Sequence, residues 1–211
     1  MEYINNPQEI ESRSFAIIRE NLEHPPLNEK ELAVLTRVIH TSADFDYQKN
    51  LVFSPDAIDS AIQALKEGCG LITDTQMALS GINKKNLALL NSHVSCYIHD
   101  PEVAKKSKEI GCTRAKLSME KAAEDPKNRI FIIGNAPTAL LALDDLLKKT
   151  DFRPALIIGV PVGFVNVVES KEVIVKNDIP FIVAHGRKGG SNVGAAIVNA
   201  LMLLALKEKD L

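Results

Sequence analysis

Ile130-Phe131-Ile132-Ile133, Ala155-Leu156-Ile157-Ile158 and Phe181-Ile182-Val183-Ala184 are continuous apolar runs, each followed by a glycine-bearing turn and a helical pattern. A strand with one wet face alternates apolar and polar residues. A run that is apolar throughout is buried on both faces, as in a parallel sheet covered by helices. Upstream, Gly70-Leu71-Ile72-Thr73 and Val94-Ser95-Cys96-Tyr97-Ile98 are shorter strand candidates. The expected architecture is a three-layer α/β/α fold with a mainly parallel sheet of about five strands. It forms a single domain over residues 1–211 with extra N-terminal helices.

The N-terminal third carries helix start signals. Asn6-Pro7-Gln8-Glu9 reads as an N-cap, a proline at the first helical position and a capping acid. This helix is expected to reach about Leu22, with Pro25-Pro26 ending it. Asn28-Glu29-Lys30-Glu31 is a second capping box, flanked by Leu27 and Leu32 at hydrophobic-staple spacing, and its helix is expected to reach about His40. Ser54-Pro55 and Asp100-Pro101 open further helices, and Gly68 can close the first of them. The last helix, from about Asn192 to Leu206, is apolar almost all round. Such a helix is either central or covered by a partner subunit, and partial burial in a dimer is the favoured reading.

With 211 residues, 45% hydrophobic and 25% charged, the chain has an ordinary globular composition and length enough for a core without disulfides. A net charge of −2 lacks the strongly basic footprint of a nucleic-acid or membrane-surface binder, so neither partner is expected. Three cysteines cannot all pair within one chain, and no secretory leader pattern follows Met1, so a cytoplasmic location is expected. The longest apolar run, Ile197 to Leu206, is interrupted by Asn199 and too short to span a bilayer.

In a parallel α/β sheet, ligands sit beyond the carboxyl ends of the strands. Three turns are expected to converge there: Gly134-Asn135-Ala136-Pro137-Thr138, Gly159-Val160-Pro161-Val162-Gly163 and Gly186-Arg187-Lys188-Gly189-Gly190-Ser191. Backbone N–H groups at helix starts favour anions. Arg187 and Lys188 add charge to the third turn, which is expected to bind one. None of these turns has a P-loop or dinucleotide fingerprint. His93-x-x-Cys96-x-x-His99 has metal-ligand spacing. On a strand, however, its histidines lie about 20 Å apart and Cys96 faces the other way, so no protein metal site is expected.

The remaining candidates are single side chains. His24 reads as a loop residue, and His185, at a strand end beside the glycine turn, can line a site. His40 lies off the apolar stripe of Leu32, Val34, Leu35, Val38 and Ile39, at a helix C-terminus with Thr41, Ser42 and Asp44 following. It is a candidate proton donor or acceptor, against a plain surface or capping role. Ser14 falls within the stripe of Ile10, Ile17 and Ile18. Either its hydroxyl bonds back to a helix carbonyl, or that stripe faces a ligand cavity. Arg114, near a helix start where the dipole does not favour a cation, is a surface charge or a carboxylate clamp.

Seven segments, in order and with similar spacing, resemble the precorrin-8 methylmutases of cobalamin biosynthesis. They are Arg13-Ser14-Phe15-Ala16-Ile17-Ile18-Arg19, Arg37-Val38-Ile39-His40-Thr41, Phe53-Ser54-Pro55 and Gly111-Cys112-Thr113-Arg114, then Gly134-Asn135-Ala136-Pro137-Thr138-Ala139-Leu140, Pro161-Val162-Gly163-Phe164-Val165 and Gly186-Arg187-Lys188-Gly189-Gly190-Ser191. The resemblance runs from about Tyr3 to Leu201. It implies a flavodoxin-like fold, a homodimer with substrate near the subunit interface, and migration of a methyl group from C-11 to C-12 of a corrin precursor. The shift is intramolecular and consumes no methyl donor. Its product is hydrogenobyrinate or, with cobalt, cobyrinate.

The family's catalytic histidine falls on His40, which protonates the macrocycle or holds its reactive tautomer. Ser14 and Arg114 fall on substrate-contacting positions, with Arg13, Arg187, Thr73 and Asp74 as further carry-overs. No cofactor is implied, any cobalt belongs to the substrate, and the stretch from Ile39 to Tyr47 resembles the cobalt-inserted branch. Val160, Val162, Phe164 and Val165 suit an apolar ring, and the arginines suit its carboxylate arms. The alternatives are a non-enzymatic corrinoid carrier, and an α/β enzyme for a small anionic metabolite bound at Gly186–Ser191.

Overall fold

The sheet has six strands: β1 (Leu51–Phe53), β2 (Gly70–Thr73), β3 (His93–Ser95), β4 (Asn128–Ile133), β5 (Leu156–Gly159) and β6 (Phe181–Ala184), in the order β1-β6-β5-β4-β2-β3. They come from a computed structural model that describes residues 4–23 and 26–209. Tyr3, His24 and Pro25, on which expectations fall, lie outside the described residues. β2 to β6 run parallel, and β1 pairs antiparallel with β6 through Leu51–Ala184, Val52–Val183 and Phe53–Ile182. Numbered among themselves, the parallel strands follow the 2-1-3-4-5 order of flavodoxin-like folds, with the topological switch between β2 and β4. The antiparallel edge strand was not anticipated, because a three-residue segment is too short to show a period.

The central parallel strands carry apolar runs because both faces are covered, whereas the edge strand β3 is only partly buried. Leu71, Ile130, Ile132, Leu156, Ile158 and Ile182 point into one core, while Ile72, Phe131, Ile133, Ile157 and Val183 point into the other. The first core lies under α2 (Glu29–Ser42), α4 (Ala57–Lys66) and α11 (Ser191–Lys209), with α1 (Pro7–Glu20) packed on α2. The second lies under α8 (Arg114–Ala123), α9 (Pro137–Lys149) and α10 (Val167–Val175), and α7 (Pro101–Ile110) packs on α8. Short helices α3 (Tyr47–Asn50), α5 (Gln76–Gly81) and α6 (Lys84–Leu89) fill connections.

Asn6, Asn28 and Asp100 cap their helices as read, whereas Ser54 does not: its hydroxyl accepts from Phe181 N–H, and α4 begins at Ala57 with no side-chain cap. Asn28 accepts from the N–H groups of Lys30 and Glu31, and the Glu31 carboxylate accepts from the Asn28 N–H. α2 runs to Ser42, two residues past His40, and stops at Ala43, which sits in the left-handed region at φ 54°.

α11 is a central element of the chain itself. Val193, Ile197, Val198, Leu201 and Met202 are buried against the sheet and against α2, α4 and α5. By length and hydropathy it is apolar enough to cross a membrane, but a mostly buried core helix passes the same test. Its all-round apolarity therefore has an intrachain cause, and the expected dimer burial is not needed to explain it. Gly194 lets the helix approach closely: a Cβ there would lie 2.8 Å from Cγ2 of Ile132.

The carboxyl edge of the sheet is held by side chains from within. Asp74, just beyond β2, is 1% exposed. Its Oδ1 accepts from Gly134 N–H at 2.9 Å, and its Oδ2 from Asn135 and Ala136 N–H at 2.8 and 2.7 Å. Thr75 Oγ1 meets Ser191 Oγ at 2.7 Å, joining the turn after β2 to the start of α11. Asp74→Asn should destabilise the protein by about 2–3 kcal/mol, because an amide NH2 then faces buried N–H donors whichever way it turns. Urea unfolding measures this, and a variant as stable as the wild type would show that the carboxylate does not hold this turn.

Candidate functional site

α2 ends at the carboxyl edge beside the first two turns of α11. There Arg37, His40 and Thr41 face Asn192, Ala195 and Asn199 across an open groove of about 250 Å³, with Gly81 at its side. His40 is exposed. Its ring meets Phe15 of α1 edge to face, with centroids 5.2 Å apart and planes at 88°. Arg37 lies over the same Phe15 ring at 4.8 Å, and its Nη1 pairs with Glu11 Oε1 at 2.5 Å. α1 thus supplies one aromatic ring that fixes both the imidazole and the guanidinium. Asn199, read in the sequence as a flaw in an apolar run, accepts from Asn83 N–H and donates to Gly81 C=O, both at 2.9 Å. It closes the far end of the groove.

Ser14 lies beside Phe15, and its hydroxyl donates back to Ile10 C=O at 2.7 Å, the first of its two readings. The stripe it interrupts is not a covered cavity wall, since Ile10 and Ile17 are 45% and 50% exposed and only Ile18 is buried. Arg13 is exposed on the same helix.

Arg114 opens α8 on the other side of the sheet, at the same edge. Thr113 caps that helix, and its Oγ1 donates to Thr138 Oγ1 at 2.8 Å, tying Arg114 to the turn after β4. Arg114 is exposed.

The glycine turn departs from expectation. Gly186, Gly189 and Gly190 all have positive φ (74°, 158° and 138°), and a Cβ on Gly189 would lie 2.1 Å from Val160 O. Backbone geometry therefore accounts for the glycines. Lys188 does not wait for an anion: its Nζ meets Asp44 Oδ2 at 2.6 Å and Asp46 Oδ2 at 2.5 Å. Those carboxylates hold the Lys188 ammonium pKa above its ordinary range, while Lys188 holds Asp44 below the usual carboxylate range. Both cations are exposed, but among the described residues only Lys188 is ion-paired; the Arg187 guanidinium lies 5.8 Å from the centroid of Phe164.

Burial bears on seven further residues. Thr73 and Asp74 are 0% and 1% exposed, and their oxygens are engaged inside the protein, Thr73 Oγ1 with Thr75 C=O at 3.0 Å. They lie beneath the rim. Val160 is buried core, whereas Val162, Phe164 and Val165 are exposed at 48%, 83% and 77%. His185 is half-buried at the end of β6 and its N–H donates to Asn50 C=O.

The carboxyl edge thus gathers His40, Arg187 and Arg114 around its rim, with Ser14 and Arg13 on the adjoining helix. Sequence reading missed Phe15 and Arg37 as the partners of this histidine, because their meeting depends on how α1 crosses α2. It also missed Lys171. That lysine had a visible signal, since it falls on the apolar face of its helix with Val167 and Ile174.

Among protein families, the model described as Precorrin-8X methylmutase matches residues 9–204. The cobalt-precorrin-8 methylmutase of Salmonella typhimurium is 46% identical, over 96% of this chain and 97% of its own. That of Priestia megaterium is 44% identical, over 94% and 88%. The crystal structure of the precorrin-8X methylmutase from Thermus thermophilus superposes with a TM-score of 0.89 at 36% identity, covering 95% of this chain and 97% of the other. Sequence and fold agree: the chain belongs to the precorrin-8X methylmutase family.

Proposed function

We infer that this chain is an isomerase of cobalamin biosynthesis that moves a methyl group from C-11 to C-12 of a precorrin-8 tetrapyrrole. The observation that carries this reading is His40, an exposed imidazole held edge-on by Phe15 at the mouth of a groove, in a chain of this family. One carbon–methyl bond breaks as another forms, so substrate and product are isomers and no methyl donor is consumed. A proton lent to the ring is returned, so one imidazole serves as both acid and base. No cofactor of the protein's own enters the reaction, and any cobalt arrives with the substrate.

The rest of the work is orientation. An intramolecular shift gains most from a ring held in one pose. The exposed side chains of Val162, Phe164 and Val165 offer apolar surface to the macrocycle. Arg114 and Arg187 face carboxylate arms, with Arg13 further along α1. Ser14 keeps its lone pairs free as an acceptor while its proton is engaged with Ile10. Thr73 and Asp74 support the rim from beneath. The enzyme works in the cytoplasm as a homodimer, with a second copy covering apolar surface such as Ile10 and Ile17. The cobalt-containing substrate is favoured by the names of the two relatives at 44% and 46% identity.

His40→Ala should lower turnover by about 10²–10⁴-fold, the usual worth of general acid–base catalysis, while product still binds. Loss of product binding together with turnover would make His40 a binding residue. The two substrate forms separate in the same spectroscopic assay: cobalt-precorrin-8 should give a kcat/KM at least about tenfold above the metal-free form, a difference of about 1.4 kcal/mol. The reverse ratio would place the chain on the metal-free branch.

A further inference from the structure

Lys171 lies in the middle of α10 and is 0% exposed. Lysine is almost never fully buried without a charged partner, and Lys171 has no ion-pair partner among the described residues. Instead its Nζ donates to Gly186 C=O and to Lys188 C=O, each at 2.8 Å. Burial alone lowers its ammonium pKa to about 8. A methionine would fill the same space with no charge to desolvate, so the charged end has its use in the two carbonyls it grips. Both belong to the turn after β6, at two residues with one between them.

The same turn has a second attachment on its outer side. The Lys188 side chain spans to Asp44 and Asp46 at 2.6 and 2.5 Å. These follow His40 by four and six residues, just beyond Ala43, whose left-handed φ of 54° ends α2 without a glycine. A non-glycine residue persists in that region only where its surroundings hold it there. A continuous mechanical link therefore runs from the buried ammonium, through the glycine turn, to the chain end that carries the imidazole.

We propose that Lys171 is a positioning residue for His40: it fixes the 186–190 turn so that Lys188 can anchor the Asp44–Asp46 loop and hold the last turn of α2 against the substrate. This rests on the function inferred above, and the test keeps the two apart.

Lys171→Met, Lys188→Met and the double variant are compared with wild type in turnover of cobalt-precorrin-8 and, without substrate, in the NMR signals of the His40 ring. Each single variant should fold cooperatively, shift the His40 signals and lose at least about tenfold in kcat, with KM changed by less than about threefold. Small misplacements of a catalytic group cost that much. Because both lysines act through one link, the double variant should fall no more than about twofold below the worse single; independent sites would multiply. Unmoved His40 signals, an unchanged kcat in the folded variants or multiplying losses would each overturn the proposal. If Lys171→Met does not fold, Lys188→Met carries the test, since Lys188 is a half-exposed side chain outside either core. Wild type without turnover would overturn the functional reading instead, and the ring signals would still decide the link.

Discussion

The arrangement at the carboxyl edge depends on one buried carboxylate. Asp74 sits at the topological switch between β2 and β4, where a flavodoxin-like sheet parts its connections and leaves a crevice for a ligand. Three backbone N–H groups of the turn after β4 converge on it, and burial pushes its carboxyl upward against those same donors. The crevice that could seat a phosphate therefore already holds an anion, and that anion belongs to the protein. The ligand proposed for this edge lies over the rim. A wide, flat, polycarboxylate ring suits that position, and a small phosphate inserted into the sheet does not.

Charge sorts the cations of the molecule in the same way. Lys188 is spent on Asp44 and Asp46, and Arg37 on Glu11. Among the described residues Arg114 and Arg187 have no ion-pair partner, and both sit at the carboxyl edge of the sheet. A larger cavity, about 520 Å³, lies at the opposite end of the sheet, but its chemistry is wrong for an anionic substrate. Its Arg129 pairs with Glu67, Arg153 is turned onto the carbonyls of Leu147, Thr150 and Phe152, and Glu120, Glu124, Asp125 and Asp151 line the rest.

The parallel core was legible because burial on both faces leaves its mark in local composition: Ile130–Ile133 can be nothing else in a chain of this kind. Helix starts were legible because capping is local, as at Asn28 and Glu31. The exposure of His40 was legible from its place off the apolar stripe. What stayed hidden depends on contacts across long sequence separations. Lys188 read as an anion-binding cation because its acidic partners lie 142 and 144 positions away. The burial of Asp74 stayed hidden because its donors come from the turn after β4, 60 to 62 positions away. α11 read as a dimer element because an all-round apolar helix looks alike whether its own chain or another covers it.

The most direct test is a crystal structure of the protein with the rearranged corrin product bound. The ring should lie over the carboxyl edge, its face on Phe164 and Val165, its rim at His40 and carboxylate arms on Arg114 and Arg187. A ring seated in the cavity beside Arg129, Phe152 and Arg153 would contradict the account. So would one whose arms displace Asp74 from the turn after β4.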